Sequence, residues 1–163
     1  MPTVTPSKEY PPAIGALLRL AWQAVRDRIY EGVLEAGYTD LSRAHVLLFR
    51  WPTIEGLRPS ELATRNQLSR QSINDLLSDL EKRGYLERTP DPTDGRARIV
   101  RLTERGWDLT QVISDMSFAS EREWAQVIGE SRFDEFRSTL SELVAHALPS
   151  EAGYTAQAKR LGA

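Results

Sequence analysis

The sequence predicts a mainly α-helical fold with one small β-hairpin. Apolar residues recur at intervals of three and four over most of the 163 residues, which is the spacing of amphipathic helices. Two short segments, 85–89 and 98–103, instead alternate apolar and polar residues as half-buried strands do. The segment between them is rich in proline, aspartate and glycine, so the two strands are expected to pair as a hairpin.

The first predicted helix is long and follows a polar, proline-containing arm at residues 1–10. Pro11 and Pro12 suit the first turn of a helix, because the N–H that proline lacks has no partner there in any case. The apolar face begins at Ile14, and Gly37 is the expected stop.

Three shorter helices are expected next. Ser42 is typical of an N-cap for a helix that ends at Pro52, and a very short third helix begins at Pro59. Ser69 can cap the fourth helix, which Gly84 ends. A stripe of apolar residues on this fourth helix is expected to face the core: Ile73, Leu76, Leu77 and Leu80.

The hairpin and two last helices complete the predicted elements. The segment Pro90–Ala97 is too long for a tight two-residue turn, so an extended tip is expected. Thr103 can cap the next helix. Ser131 and Asp134 fit an acidic variant of a capping box, before a last helix that ends at Pro149.

These elements fit one domain at residues 11–148, followed by a small, polar tail at 149–163. Within the domain, residues 42–103 are expected to form a compact lobe. Long helices at 11–37 and 104–148 flank it.

The composition excludes several classes of protein. The chain has no cysteine, so disulfides, thiolate zinc sites, iron–sulfur clusters and a cysteine nucleophile are ruled out. The net charge of −2 favours neither nucleic acid nor an acidic membrane as a partner. No signal-peptide pattern begins the chain, and the apolar run at 46–49 is far shorter than the roughly 20 residues of a membrane span. We therefore expect a soluble, cytoplasmic protein without membrane contact.

The sequence also lacks the usual patterns of an enzyme. It contains no Walker-type phosphate loop, no Gly-x-Ser-x-Gly elbow and no His-Glu-x-x-His. Carboxylate pairs such as Asp134 and Glu135 are interpreted as solvated helix faces. His45 and His146 are far apart, so a role in helix capping or at the surface is favoured over metal binding. Neither catalysis nor a cofactor or metal is expected.

Residues 58–105 carry the pattern that indicates a function. A helix-turn-helix has a support helix and a recognition helix, whose N-terminal residues reach base edges in the major groove. Here the support helix would run from Pro59 to about Arg65 and the recognition helix from Ser69 to about Arg83. Arginine can donate twice to guanine, glutamine and asparagine suit adenine, and serine can bind phosphate. The candidate DNA-binding residues are Ser69, Arg70, Gln71, Ser72 and Asn74. For Arg70, Gln71 and Asn74, a solvated helix face is the alternative interpretation.

The predicted hairpin adds positive charge to this segment. Arg96 lies beside Gly95 at the expected tip, where an arginine could enter the narrow minor groove of DNA. Asp94 could pair with Arg96 or Arg98 and stiffen the loop. Residues 58–105 hold ten basic and eight acidic side chains, and the rest of the chain holds eleven and fifteen. This asymmetry has the sign expected of DNA binding but is small.

Two other arginines of the hairpin, Arg88 and Arg101, are interpreted differently. Cross-strand or surface ion pairs are favoured for them over contacts with DNA. Glu87 and Glu104 are their expected partners.

Several short motifs follow one another in this segment: LA at 62–63, LSRQSI at 68–73, LEKRGYLER at 80–88, DPTDGRA at 91–97 and LTERG at 102–106. Together they resemble the MarR family of bacterial transcription regulators, and the likeness covers about residues 12–146. Its most specific part is the Asp-x-Arg of the hairpin combined with the downstream Leu-Thr-x-x-Gly.

The resemblance implies a homodimeric winged helix-turn-helix protein. In this family the long N- and C-terminal helices of two chains, here 11–37 and 104–148, interlock across a two-fold axis. The lobe between them binds double-stranded DNA at a pseudo-palindromic operator. Such a bacterial regulator is expected in the cytoplasm, associated with the nucleoid when it is bound to DNA.

The resemblance also implies roles for individual residues. The recognition helix, Ser69–Arg83, enters a major groove. The wing, Thr89–Arg98, extends toward the adjacent minor groove, which Arg96 reaches. Arg98 is the second candidate of the wing for DNA contact, and Asp94 takes the bracing role.

A small aromatic or anionic effector, bound between the lobe and the dimer helices, is a further implication of the family. It would release a repressor from its operator. Trp22 and Trp51 are candidates for lining that pocket, although packing in the core or dimer interface is the favoured interpretation of each tryptophan singly. The chain departs from two family subtypes, because it has no cysteine for a thiol peroxide sensor and only two histidines for a zinc sensor. The alternative function is a winged-helix module that docks an acidic protein without sequence-specific DNA binding.

Overall fold

A computed structural model describes residues 11–49 and 54–148, and over those ranges it contains six helices and one two-stranded antiparallel sheet. The predicted mainly helical fold with one hairpin is confirmed. The predicted arm, the tail at 149–163, Trp51 and Pro52 lie outside the described residues. In chain order the elements are α1 (Ile14–Glu35), α2 (Arg43–Leu48), α3 (Pro59–Asn66), α4 (Arg70–Lys82), β1 (Leu86–Asp91), β2 (Asp94–Leu102), α5 (Glu104–Ile128) and α6 (Glu130–Ala147).

Hydroxyl side chains begin three of the helices, as the sequence predicts. The Ser42 hydroxyl accepts a hydrogen bond from the amide of His45, and Nδ1 of His45 accepts one from the amide of Ser42. This reciprocal capping box gives His45 the predicted capping role at the start of α2. The hydroxyls of Ser69 and Thr103 cap α4 and α5. Each accepts a hydrogen bond from the backbone amide three residues further on.

The start of α6 differs from the prediction. The capping box at Ser131 and Asp134 is wrong, because α6 begins earlier, at Glu130, and includes both residues. Gly129 has a φ of 91° and lies between α5 and α6 as their single connecting residue. Glycine adopts this positive-φ conformation readily because it has no side chain. The chain therefore turns at Gly129 without a side-chain cap.

The predicted extended tip of the hairpin is also wrong. β1 continues to Asp91 and β2 begins at Asp94, so a two-residue turn connects the strands. The register shifts after Pro90, and the additional residues 95–97 form a bulge in β2. The Asp91 carboxylate accepts hydrogen bonds from the amide and hydroxyl of Thr93, at 2.8 and 2.7 Å, which close the turn.

The core lies where the lobe meets α1 and α5. Buried apolar residues from α1 to α5 and from both strands form one cluster. The predicted stripe of α4 belongs to it, with Leu76 at the edge and the other three residues fully buried: Ile73, Leu77 and Leu80. Over the ranges that the structure describes, none of the helices has both the length and the apolar character of a membrane span.

The junction between the lobe and α5 depends on a close backbone approach at Gly106. A methyl group at this position would collide with the carbonyl oxygen of Tyr85. The Thr103 hydroxyl donates to the carbonyl of Gly84 at 2.7 Å, and the guanidinium of Arg105 lies 4.2 Å from the centre of the Tyr85 ring. The Leu-Thr-x-x-Gly motif therefore caps α5 and brings its first turn against the end of the lobe.

A cluster of polar side chains anchors the C-terminal end of α4. Arg83 donates to the backbone carbonyl of Asp40 at 2.7 Å and pairs with Asp79 at 3.0 Å. Asp79 also lies 3.2 Å from Nε2 of His45, and the Tyr85 hydroxyl donates to the Asp40 carboxylate at 2.7 Å. These contacts join α4 to α2 and to the connection between α1 and α2.

The protonation states of this cluster follow from its burial. Burial lowers the pKa of His45 below its ordinary value, although the carboxylate of Asp79 opposes the shift. The neutral ring, with its proton on Nε2, satisfies both the Ser42 amide and Asp79. Burial and the hydrogen bond to Asp40 raise the pKa of Tyr85 to about 12, so its hydroxyl stays a donor.

We predict that Gly106→Ala destabilises the protein by about 1–3 kcal/mol, because the added methyl group must displace the backbone at Tyr85. Urea unfolding measures the effect. Gly15→Ala is the matched control, since a methyl group there meets nothing within 4 Å and alanine favours a helix. Equal stability of Gly106→Ala and the wild type would contradict the packing described for this junction.

We predict that His45 makes stability depend on pH. The unfolded chain binds a proton at His45 near pH 6.5, whereas the folded chain holds the ring neutral. The free energy of unfolding should therefore be greatest above about pH 7 and decrease as the pH falls to about 5.5. The free energy of unfolding, measured with urea across this range, should depend less steeply on pH for His45→Gln than for the wild type. The same pH dependence in both proteins would refute the role given to His45.

Candidate nucleic-acid interface

Helices α3 and α4 form a helix-turn-helix. Gln67 ends α3 with a left-handed φ of 53°, and the amide of Leu68 donates to the carbonyl of Ala63 at 3.0 Å. Ser69 then begins α4 in an extended conformation. Because the apolar stripe of α4 is buried, the predicted DNA-binding residues are all exposed at its N-terminal end: Ser69, Arg70, Gln71, Ser72 and Asn74.

The exposed polar side chains of α4 orient one another. Gln71 donates to the carboxylate of Asp75 at 2.8 Å, and Asn74 donates to the carbonyl of Arg70 at 2.9 Å. Each amide keeps an oxygen and one N–H for a further partner. The Arg70 guanidinium has no hydrogen bond or ion pair to the described part of the chain. Asp75 was not among the sequence candidates, and its contact with Gln71 adds it to this surface.

The wing, Thr89–Arg98, exposes Arg96 in the bulge of β2. Its guanidinium contacts no polar group within residues 11–49 and 54–148, and its amide donates to the carboxylate of Asp94 at 3.2 Å. Arg98 is also exposed and lies 3.4 Å from the carbonyl oxygen of Arg88. Asp94 therefore contacts the backbone of the bulge rather than an arginine side chain of the wing.

Two arginines of the hairpin pair with partners other than the predicted Glu87 and Glu104. Arg88 contacts Glu81 of α4 at 2.7 Å and donates to the hydroxyl of Ser78. Arg101 contacts Glu55 at 2.8 Å. Successive side chains of a strand point to opposite faces, so Arg88 reaches α4 rather than the adjacent Glu87. Hydrogen bonds from Arg88 lower the pKa of Glu81 and keep this pair charged.

The turn of the wing is tied to the start of α3. Nε and Nη2 of Arg58 lie 2.7 and 2.6 Å from the same carboxylate oxygen of Asp91, which is buried. Hydrogen bonds from Thr93, together with Arg58, hold the pKa of Asp91 at about 2. Arg58 and Asp91 are separated by 33 residues, so no local sequence pattern pointed to their contact.

An open groove of about 520 Å³ lies between α4 and the wing. Asn74 and Arg98 both line it, so it brings together one candidate residue from each element. Across the described ranges, no group of three or more residues is arranged to bind a metal ion.

A second, smaller cavity of about 20 Å³ lies between α1, α2 and α5. Trp22 borders it together with Arg26, Tyr30 and Arg43, whereas Trp51 lies outside the described residues. The Arg43 guanidinium lies 4.4 Å from the centre of the Tyr30 ring. Nε of Arg26 is buried and has no hydrogen-bond partner among the described residues.

Comparison with known proteins places these features in a family context. A model of the MarR family matches residues 39–97. The HTH-type transcriptional regulator SarZ of Staphylococcus epidermidis is 33% identical over 98 residues, which are 60% of this chain and 58% of SarZ. The match therefore spans little more than half of that relative.

Solved structures match over a longer stretch. A crystal structure of MarR shares the fold with a TM-score of 0.70 at 23% identity, covering 90% of this chain and 97% of that one. CouR from Rhodococcus jostii RHA1, bound to p-coumaroyl-CoA, has a TM-score of 0.62 at 26% identity, covering 85% of this chain and 94% of CouR.

Proposed function

Starting from its confirmed resemblance to the MarR family, we propose that this chain is a transcriptional regulator that binds a specific DNA sequence as a homodimer. One observation carries the proposal. The exposed start of α4 and the wing border a common groove, and each exposes an arginine, Arg70 or Arg96, that has no partner in the described chain. A polyanion that contacts both elements at once fits this arrangement.

The two elements have different proposed tasks. α4 lies in the major groove, where Arg70, Gln71 and Asn74 contact base edges and the capping hydroxyls of Ser69 and Ser72 contact phosphate. Arg96 enters the minor groove, where the potential is most negative, and Arg98 contacts the backbone beside it. Base contacts supply the sequence preference, and the wing supplies affinity for DNA of any sequence.

Exposed apolar side chains support the homodimer. They lie along α1, α5 and α6 and at the residue that follows α6: Ile14, Leu17, Leu18, Leu20, Trp22, Trp107, Phe118, Val127, Ile128, Phe136, Leu143 and Leu148. Extended apolar surface of this kind is typical of an interaction site. A second copy of the chain would cover them. A two-fold axis then places two recognition helices about 34–36 Å apart, which matches successive major grooves on one face of a pseudo-palindromic operator.

We propose in addition that a small aromatic acid releases the regulator from its operator. The ligand would bind at the cavity beside Trp22, and the carboxylate would pair with Arg26, whose Nε has no described partner. Ligand pockets are commonly about 300–1,000 Å³, so a cavity of about 20 Å³ has to open. Opening displaces α1 and α2 and thereby changes the spacing of the recognition helices. CouR, a structural neighbour, is bound to p-coumaroyl-CoA.

We predict that substitutions separate affinity from sequence preference. The preferred site is first selected from a random pool of duplexes, and affinity is then measured against salt concentration. Arg96→Ala should weaken binding to all sequences and reduce the salt slope by about 1. Asn74→Ala should lose about 1–3 kcal/mol on the selected site and discriminate less between sites. Arg122→Ala, an exposed arginine of α5, is the control and should behave as the wild type.

Two results would contradict this assignment. If the protein selects no sequence and its affinity does not fall with salt, the alternative of a protein-docking module is favoured. If the wild type selects a site but Arg96→Ala and Asn74→Ala bind it equally well, the interface lies elsewhere on the chain.

We predict that aromatic carboxylic acids dissociate the complex with the selected duplex. Benzoate, salicylate and 4-hydroxycinnamate are titrated while fluorescence anisotropy of the labelled DNA reports binding. Arg26→Gln should raise the concentration needed for release about 10-fold, which is the loss expected for one charge-assisted hydrogen bond, and should leave DNA affinity unchanged. Arg19→Gln is the control on the same helix. Failure of all three acids, or an equal response of Arg26→Gln, would contradict the proposed effector site.

A further inference from the structure

We propose that Arg58 and Asp91 form a latch that positions the wing for DNA binding. This role rests on the proposed function, and neither residue was among the candidates that the sequence suggested. Arg58 is a positioning residue in this proposal: it acts through Asp91 and the turn of the wing, and Arg96 makes the contact with DNA.

Each side of the latch is itself fixed. Arg58 immediately precedes α3, and its amide donates to the carboxylate of Glu61 at 2.7 Å. Its Nε and Nη2 both contact Oδ2 of Asp91. The other oxygen of Asp91 accepts the amide and hydroxyl of Thr93. One buried carboxylate thus joins the start of the helix-turn-helix to the turn of the wing.

The latch continues toward Arg96. Nη1 of Arg58 lies 3.7 Å from the carboxylate of Asp94, and that carboxylate accepts the amide of Arg96. A two-stranded hairpin is only marginally stable alone, so the far end of the wing needs a contact of this kind to keep one orientation. Holding Arg96 in place before binding reduces the entropy lost on contact with DNA.

A simple electrostatic argument predicts that Asp91 weakens DNA binding, which is the opposite of its role in the latch. The Arg58 side chain is 37% exposed, so it could itself contact a phosphate, and Asp91 would then only neutralise it. On that view, Asp91→Asn removes a negative charge near a polyanion and strengthens binding. The latch predicts that Asp91→Asn weakens binding. The sign of the change therefore distinguishes the two explanations.

The experiment measures affinity for the selected duplex at one salt concentration. Asp91→Asn and Arg58→Met should each weaken binding about 10-fold, and the double variant should be no weaker than either, because both remove one interaction. Asp134→Asn on α6 is the charge-matched control and should bind as the wild type. If Asp91→Asn binds as tightly as the wild type or more tightly, the latch is refuted.

A second comparison tests whether the latch acts through Arg96. In an Arg96→Ala background, Asp91→Asn should have no further effect on affinity, whereas a general loss of structure would weaken binding in both backgrounds. Circular dichroism confirms that each variant is folded. Should Asp91→Asn fail to fold, Arg58→Lys replaces it, since lysine keeps the charge but cannot make the paired contact. If the wild type selects no duplex at all, the proposed function fails instead of the latch.

Discussion

The backbone contact between Gly106 and Tyr85 is the constraint on which the arrangement of this molecule depends. Around Tyr85, the last turn of α4, the first strand and the first turn of α5 meet. The Tyr85 carbonyl accepts the amide of Thr103 at 3.2 Å, its ring lies under Arg105, and its hydroxyl binds Asp40. Because glycine alone allows this approach, the orientation of the proposed recognition helix is fixed relative to the long helix that follows it.

Arginines of residues 58–105 differ in their physical roles. Arg83 pairs with Asp79 of its own helix and donates to the backbone carbonyl of Asp40. Four others pair with carboxylates of other segments: Arg58, Arg88, Arg101 and Arg105. Arg70 and Arg96 are exposed and lack such partners in the described chain. The net charge of residues 58–105 is small because ten basic side chains are nearly balanced by eight acidic ones. Several of these carboxylates pair with arginines away from the start of α4, such as Asp91 with Arg58 and Glu81 with Arg88. The surface proposed to face DNA is therefore more positive than the composition indicates.

Local signals explain which elements the sequence predicts well. The caps at Ser42, Ser69 and Thr103 and the stripe of α4 depend on residues within one or two turns, and all are confirmed. The errors arise where distant contacts decide. The strand register at the wing depends on the buried Asp91, whose partner Arg58 is 33 residues away. The start of α6 differs for another reason: Gly129, with a φ of 91°, turns the chain, so α6 begins before the capping pattern at Ser131 and Asp134.

The candidate site shows the same division between local and long-range information. Residue type and helical spacing place the exposed start of α4, and a glycine beside an arginine marks the wing. The sequence shows neither the groove between these elements nor the contact of Gln71 with Asp75. The groove depends on how the hairpin packs against α4 through Arg88 and Glu81, two residues that lie in different elements. The contact of Gln71 with Asp75 is instead a local pair within α4, four residues apart, which helical spacing allows.

The distance between the two recognition helices tests the central claim most directly. The chain has no cysteine, so one cysteine in place of the exposed Lys82 carries one spin label per protomer. In the presence of the selected duplex, pulsed electron paramagnetic resonance should give one dominant distance, consistent with helices about 34–36 Å apart. An absence of dipolar coupling, or a distance that does not fit one turn of DNA, would contradict a dimer that presents two copies of α4 to successive major grooves.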